Sequence, residues 1–252
     1  MDEARLYAAL SLGLVGAAAA TFLVLMRVSA PYGRHARGGW GPSIPARVGW
    51  LVMESPSCWL FVPVFLAGRH ADELVPRILL GLWLLHYVYR TFVFPLRIRA
   101  RGRGMPLVVM GLALAFQLVN SYLNARYVSH LGHYGAGWLG DPRCAAGFTL
   151  FLVGSAINHH SDGILLKLRA SGDLGYRMPE GGLFRWVSCP NYLGELVEWT
   201  GWALATWSLA GLAFAAFTAA NLVPRARDHH RWYRRTFPAY PATRKALVPF
   251  IW

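Results

Sequence analysis

The chain has 252 residues, of which 55% are hydrophobic and only 15% are charged, and its formal net charge is +13. A soluble domain usually has nearer a quarter of its residues charged, so this composition excludes an ordinary soluble protein. A balance this basic would indicate nucleic acid in a soluble protein, but in a membrane protein basic residues mark the cytosolic loops. We therefore expect no nucleic-acid partner.

Seven stretches are apolar enough to cross a bilayer, and in lipid they should be helical because their backbone groups must be satisfied internally. In chain order they are residues 6–26, 46–67, 75–95, 105–125, 144–166, 191–207 and 209–226. The last two share one uncharged run that is too long for a single crossing, and we divide it near Ser208. No linker interrupts the series, so we predict one all-α domain over residues 1–252.

Most of the 25 basic residues fall in alternate loops of this seven-span arrangement. The positive-inside rule then puts the N-terminus outside and the C-terminus in the cytosol. The first residues carry two acids and one base, which favours a retained helix over a signal peptide. We expect a monomeric multi-pass protein, of the inner membrane if bacterial and of the endoplasmic reticulum if eukaryotic.

Ionisable side chains inside the spans are costly and usually mark function. Glu54 shares a helix face with Trp50, four residues earlier, and with Met53. Its apolar surroundings favour the protonated carboxyl, which can donate a hydrogen bond to a carbonyl oxygen. The alternative is a structural carboxyl that bonds a neighbouring helix.

The third span supplies a second candidate donor. Tyr87 and Arg90 are three residues apart and face the same way on a helix. An aromatic residue at the membrane interface is the alternative, and it suits Tyr89 better than the deeper Tyr87.

Three further polar stripes lie in the predicted cytosolic half, and their helical spacing turns each stripe toward the bundle interior. The stripes are Asn158 and Asp162; Asn191, Glu195 and Glu198; and Arg225, His229 and Tyr233. A positive-inside anchor explains the arginines but not the amides and carboxyls. Together the stripes indicate an anionic cofactor above an apolar pocket, although no GxGxxG or P-loop is present. The adjacent His159 and His160 diverge on a helix, so we expect no metal.

Three segments carry longer patterns: YRMPEGGLF at 176–184 followed by NYLGE at 191–195, HYVYRTFV at 86–93, and RKALVPFIW at 244–252. This set resembles the signature of the steroid 5α-reductase (3-oxo-5α-steroid 4-dehydrogenase) family. The resemblance runs from about residue 32 to the C-terminus and is closest to the type 2 steroid enzymes.

The resemblance implies a seven-helix membrane enzyme that uses NADPH to reduce the Δ4 double bond of 3-oxo steroids such as testosterone or progesterone, taken from the bilayer. It implies that Glu54 and Tyr87 are catalytic and bind the 3-oxo group, while Trp50 and Met53 line the substrate pocket. The cofactor contacts that it implies are Arg90, Arg101, Arg103, Asn158, Asp162, Arg169, Tyr176, Arg177, Asn191, Glu195, Arg225, His229 and Tyr233. The basic loop 97–103 is slightly longer here than in the family, so which of its arginines contacts the cofactor is open.

One departure concerns the residue before the catalytic Glu, which is Gln in the steroid enzymes and Met53 here. We therefore expect one hydrogen-bonding group near the ketone to be missing. The expected chemistry is conjugate reduction, in which Glu54 and Tyr87 stabilise charge on the carbonyl oxygen and Tyr87 or water protonates the α-carbon. The alternatives are an enoyl-thioester or polyprenol reductase on the same scaffold, and a methyltransferase or non-catalytic lipid-binding bundle.

Overall fold

The computed structural model describes residues 3–98, 104–135, 137–170 and 176–252, with only the backbone at residues 169 and 170. The described chain is mostly helical, as predicted. Its α-helices are α1 (Glu3–Leu25), α2 (Ala46–Glu54), α3 (Pro56–Trp59), α4 (Phe61–Leu66), α5 (Leu74–Val88), α6 (Phe94–Arg97), α7 (Leu107–Arg126), α8 (Pro142–Ala170), α9 (Pro190–Thr206) and α10 (Leu209–Thr236). Two short strands, β1 (Ser43–Pro45) and β2 (Gly104–Pro106), pair antiparallel with Ile44 opposite Met105.

These helices form seven long segments at the positions of the seven predicted spans. The second segment consists of α2, α3 and α4, and it is broken near Pro56 and Pro63 because proline cannot donate the backbone hydrogen bond of a continuous helix. The third runs from α5 through a π-helical turn, Tyr89–Val93, into α6. The fourth continues from α7 into a π-helical turn at Tyr127–Leu131. Such turns are frequent at functional sites.

Five of the segments in the described chain are long and apolar enough to cross a membrane. They are Glu3–Leu25, Ala46–Leu66, Leu74–Arg97, Leu107–Leu131 and Leu209–Thr236. The other two, α8 and α9, carry the polar stripes. These findings support a membrane protein, whereas seven crossings, the orientation of the termini and a single domain over residues 1–252 stay predictions.

The division of the last apolar run near Ser208 is confirmed. Helix α9 ends at Thr206, Trp207 adopts a left-handed conformation with φ of 45°, and α10 begins at Leu209. The Ser208 side chain accepts a hydrogen bond from the Gly211 amide and so caps α10. Helix α10 continues to Thr236, so Arg225, His229 and Tyr233 lie near its end as predicted, whereas the predicted span 209–226 ends earlier, at residue 226. Only the apolar run stops there; the helix continues because the polar stripe that follows is buried against the other segments.

Helices α8 and α9 run antiparallel at very close approach. A Cβ on Gly147 would lie 2.7 Å from the carbonyl oxygen of Gly201, and a Cβ on Gly154 would lie 2.5 Å from that of Gly194. Small residues at such contacts let two backbones approach in a membrane protein. The close approach sets the polar stripes of the two helices face to face.

An aromatic core lies beside the polar stripes and ties the early segments to the late ones. The Trp83 ring packs against Phe61, Trp199, Trp202 and Phe214, with ring centroids 4.3–5.8 Å apart. All five side chains are buried. Since they come from α4, α5, α9 and α10, this core fixes the third segment, which carries Tyr87 and Arg90, against the last two.

We expect Gly154→Ala to destabilise the protein by about 1–3 kcal/mol, because the added methyl group meets backbone atoms of α9 and the helices must separate. Thermal unfolding in detergent would measure this. The matched control is Gly163→Ala on the same helix, where a Cβ has nothing within 4 Å. That change should leave stability unchanged or slightly raise it, because alanine is the better helix former. Equal unfolding temperatures for the two variants would contradict the close α8–α9 contact.

Candidate functional site

Arg90 lies at the centre of a buried charge cluster drawn from four segments. Its Nε is 3.9 Å from Glu54 Oε1, its NH1 is 3.7 Å from Asp162 Oδ2 and its NH2 is 3.9 Å from Glu195 Oε2. The guanidinium also lies over the ring of Trp50, 4.6 Å from its centroid. The sequence had placed these residues in separate stripes, and the fold brings them together. We call these five residues the Arg90 cluster.

Three carboxyl groups in this cluster face one guanidinium. Both the acids and the arginine are largely withdrawn from water, with side-chain exposures of 7–15%. One positive charge balances only one carboxylate, and uncompensated charge is costly when buried. The three acids and the arginine therefore form one buried electrostatic group that includes Glu54.

Glu54 and Tyr87 lie together, as predicted, and a third side chain joins them. The Nε2 group of Gln117, on α7, donates to Glu54 Oε2 at 2.6 Å and to the Tyr87 hydroxyl at 3.3 Å. Glu54, Tyr87 and Gln117 are all buried, and so is Met53. A carboxyl and a phenol held by one amide can both be directed at a single carbonyl oxygen.

The amide stripe on α8 and α9 is connected to the same cluster. Asn158 Nδ2 donates to the backbone oxygen of Asn191 at 3.0 Å. Asn191 Nδ2 donates to Asp162 Oδ1 at 3.1 Å, and Asp162 in turn faces Arg90. Glu198, which we had assigned to this stripe, instead contacts His86 Nδ1 at 3.0 Å.

A second group of side chains surrounds Arg225 on α10. Arg225 Nε donates to the Tyr192 hydroxyl at 3.0 Å, and its guanidinium lies over the ring of Tyr32, 3.8 Å from the centroid. The Tyr192 hydroxyl is 3.1 Å from His229 Nε2, and His229 Nδ1 is 2.9 Å from His35 Nε2. Burial, with the charges of nearby arginines, lowers the pKa of His35 to about 4, so this histidine is neutral at pH 7.

Arg34 is enclosed by aromatic rings beside this group. Its guanidinium lies 4.5–5.4 Å from the centroids of Tyr176, Trp232 and Tyr233, and its NH2 donates to the Tyr233 hydroxyl at 3.0 Å. Arginine stacked on aromatic faces keeps its fork of donors available for an anion.

One cavity connects the two groups. Most of the expected cofactor residues that the structure describes with side chains line it, and Trp50, Tyr32 and Arg34 are among its other lining residues. These lining residues are Trp50, Arg90, Asp162, Tyr176, Arg177, Asn191, Arg225, His229, Tyr233, Tyr32 and Arg34. Glu54, Tyr87 and Met53 do not line it, and Arg90 connects the cavity to Glu54. Arg101, Arg103 and the side chain of Arg169 lie outside the described residues.

Two arginine nitrogens beside this cavity lack partners within the described part of the chain. They are NH1 of Arg34 and NH1 of Arg225, and both are buried. A buried cationic donor is costly when unpaired, so a site of this kind favours an anionic group. With the amides and carboxyls of α8 and α9 opposite, the lining suits an anionic ligand that also carries hydroxyl or amide groups.

The two adjacent histidines do not share a ligand position. The ring of His159 packs edge-on against Tyr89, with centroids 4.3 Å apart. Within residues that the structure describes, no group of three or more His, Cys, Asp or Glu side chains could hold a metal ion. The expected absence of a metal stays a prediction.

Comparison with known proteins identifies the family. Residues 103–252 match the profile described as 3-oxo-5-alpha-steroid 4-dehydrogenase. The chain is 43% identical to steroid 5-alpha-reductase DET2 of Arabidopsis thaliana, over 96% of this chain and 95% of that protein. It is 43% identical to human 3-oxo-5-alpha-steroid 4-dehydrogenase 1, over 99% and 96%, and 47% identical to the mouse protein of that name, over 91% of each. The chain belongs to the 3-oxo-5-alpha-steroid 4-dehydrogenase family.

Membership of the 3-oxo-5-alpha-steroid 4-dehydrogenase family makes the protein an oxidoreductase that acts on CH–CH groups, and this prediction is confirmed. The family resemblance drawn from the sequence is confirmed as well. These relatives carry the number 1 or the name DET2, so the expectation that the type 2 enzymes are closest stays a prediction.

Sequence reasoning missed two parts of this candidate site. The first is the amide stripe of Gln117, Asn120 and Asn124 on α7, whose three- and four-residue spacing is the signal that revealed the stripes on other spans. The second is the segment with Tyr32 and Arg34, which precedes α2 and has no helical periodicity. Only the fold brings that segment against α10.

Arg90→Gln should destabilise the cofactor-free reductase by about 3 kcal/mol or more, because three buried carboxyls lose the cation that faces them. Chemical or thermal unfolding of purified protein would measure the loss. Arg143→Gln is the control, since the Arg143–Asp141 pair lies at the surface and should contribute little. If both variants unfold alike, Arg90 does not organise the cluster.

Proposed function

We propose that this protein is an NADPH-dependent membrane reductase that transfers hydride to the Δ4 double bond of 3-oxo-Δ4 steroids, giving 5α-reduced steroids. The observation that carries the proposal is the pairing of Glu54 with Tyr87 beside a cavity rich in cationic and amide donors. The relatives named as steroid 5-alpha-reductases support the substrate class.

The cavity lining fits NADPH in chemical character. Arg34 and Arg225 offer buried nitrogens without partners in the described chain, which suit phosphate oxygens. The residues that would hold the cofactor are Arg34, Arg90, Asn158, Asp162, Arg169, Tyr176, Arg177, Asn191, Glu195, Arg225, His229 and Tyr233, with Arg101 or Arg103 from the basic loop. When bound, NADPH supplies the hydride that reduces the β-carbon of the enone.

Glu54 and Tyr87 act at the other end of the enone. As the double bond is reduced, negative charge develops on the carbonyl oxygen, and two donors already directed at that oxygen lower the barrier. Because both side chains are buried, water does not compete for their hydrogen bonds. Trp50 and Met53 line the pocket for the apolar body of the substrate, and Tyr87 or water protonates the α-carbon.

The same proposal includes the location and topology of the protein in the membrane. The substrate enters from the bilayer, while the cofactor binds on the cytosolic side of a seven-span, monomeric protein with its N-terminus outside. The five apolar segments support the membrane location of the protein. The membrane is the inner membrane in a bacterium and the endoplasmic reticulum in a eukaryote.

The direct test is turnover by purified protein with NADPH. Testosterone and progesterone should give their 5α-reduced products with equal consumption of NADPH. An enoyl-CoA and a polyprenal serve as competing substrates, because related reductases act on such enones. Reduction of either of these, with no steroid turnover, would overturn the steroid assignment.

Glu54→Gln should lower kcat by about 10² or more, the usual effect of removing a donor to a developing oxyanion. Tyr87→Phe should lower it similarly, and neither change should alter the Kd for NADPH, measured by fluorescence. Tyr89→Phe is the matched control, since the Tyr89 hydroxyl accepts from Arg97 at the surface and does not contact Glu54 or Gln117. Near-normal turnover in Glu54→Gln would remove Glu54 from the mechanism.

Arg225→Ala and Arg34→Ala should each raise the Kd for NADPH about tenfold or more, since each loses charge-assisted hydrogen bonds to an anion. If either residue contacts the 2′-phosphate, the preference for NADPH over NADH should also shrink. Arg231→Ala, at an exposed position on the same helix α10, should leave the Kd unchanged. An unchanged preference in both site variants would assign the 2′-phosphate to the 97–103 loop.

A further inference from the structure

A continuous chain of side-chain amides runs along α7 to the catalytic pair. The indole Nε1 of Trp202 donates to Asn124 Oδ1 at 2.8 Å, and Asn124 Nδ2 donates to Asn120 Oδ1 at 2.9 Å. Asn120 Nδ2 then donates to Gln117 Oε1 at 3.3 Å. Gln117 Nε2 ends the chain at Glu54 and Tyr87, so the chain reaches the proposed donors from α7, whereas the contacts of Arg90 with Asp162 and Glu195 come from α8 and α9.

The direction of this chain is fixed by chemistry at its far end. An indole nitrogen can only donate, so Asn124 must present its oxygen to Trp202 and its nitrogen to Asn120. The same constraint passes to Asn120 and then to Gln117, whose nitrogen must face the catalytic pair. All four side chains are buried, where a reversed amide would leave two donors or two acceptors facing each other.

This direction has a consequence for the two catalytic groups. Gln117 donates to Glu54 Oε2, so a proton on the carboxyl is better placed on Oε1, which accepts nothing from Gln117 and lies 3.9 Å from Arg90 Nε, beyond hydrogen-bond distance. Because Gln117 also donates to the Tyr87 hydroxyl, that oxygen accepts from the amide and its own hydrogen points elsewhere. Both acidic hydrogens are thereby directed away from Gln117.

We propose that Gln117, oriented by the chain from Trp202, is a positioning residue that directs the protons of Glu54 and Tyr87 toward the substrate carbonyl. The inference rests on the proposed reductase function and deepens it. It also changes the interpretation of Met53, where the sequence predicted a missing hydrogen-bonding group. An amide is present at the catalytic carboxyl, but α7 provides it instead of α2.

The test compares Gln117→Met, Asn120→Leu and wild-type protein. Methionine matches glutamine in length and removes the amide, so kcat for testosterone should fall about tenfold or more. Asn120→Leu leaves Gln117 in place but frees its amide to reverse, so kcat should fall about threefold, a smaller loss. Both variants should retain the wild-type KM for steroid and Kd for NADPH, whereas a merely structural role would change all of these together with the unfolding temperature.

Asn221→Leu on α10 is the control, because its amide bonds only to the backbone oxygen of Phe217 among the described residues and is not linked to the chain. If Gln117→Met fails to bind NADPH, Gln117→Asn replaces it in the test. Asparagine keeps an amide, but its shorter side chain should not reach Glu54. The kcat of Gln117→Asn should therefore fall as much as is expected for Gln117→Met. Wild-type kcat in a Gln117 variant that binds NADPH overturns the positioning role alone. Wild-type protein that binds NADPH but reduces no steroid overturns the proposed function, and the role assigned to Gln117 is lost with it.

Discussion

The structure of the candidate site depends on the interaction of Arg90 with three carboxyl groups. The acids come from α2, α8 and α9, and the arginine comes from the π-helical turn after α5. Buried charge is tolerated only where it is compensated, so segments distant in the sequence are held in one arrangement by a single cation.

Close helix packing makes this arrangement possible. Helices α8 and α9 bring their polar stripes together because Gly147, Gly154, Gly194 and Gly201 leave room for backbone contact. Larger residues at these positions would move Asp162 away from Asn191 and Arg90. Because of the polar stripes, α8 and α9 are less apolar than the five segments that are candidate spans. The polar groups of α8 and α9 are tolerated because they have partners inside the bundle.

Much of this site could be predicted from the sequence. Helical spacing shows which side chains share a face, and the position of a polar residue within an apolar span shows that it is buried in the bundle. Glu54 and Tyr87 stood out as ionisable groups in apolar spans, and their proximity in the structure agrees with that interpretation. Partners across helices could not be predicted: the spacing that grouped Glu198 with Glu195 did not reveal that Glu198 turns to His86. Arg34 was missed because the segment before α2 has no periodicity, and Gln117 because a neutral amide in an apolar span is less conspicuous than an ionisable group.

The two ends of the proposed reaction come from different parts of the chain. The donors to the carbonyl oxygen lie on α2 and α5, before residue 103, whereas the described cofactor stripes lie on α8, α9 and α10, inside the region that matches the family profile. Arg90 contacts both parts, and Trp202 on α9 reaches the donors through the amides of α7. A displacement of α9 would therefore disturb the orientation of Glu54 and Tyr87 as well as the cofactor cavity. Arg90 is not itself a carbonyl donor, but it faces Glu54 on one side and Asp162 and Glu195 on the other, so it links the proposed donors physically to the proposed cofactor stripes.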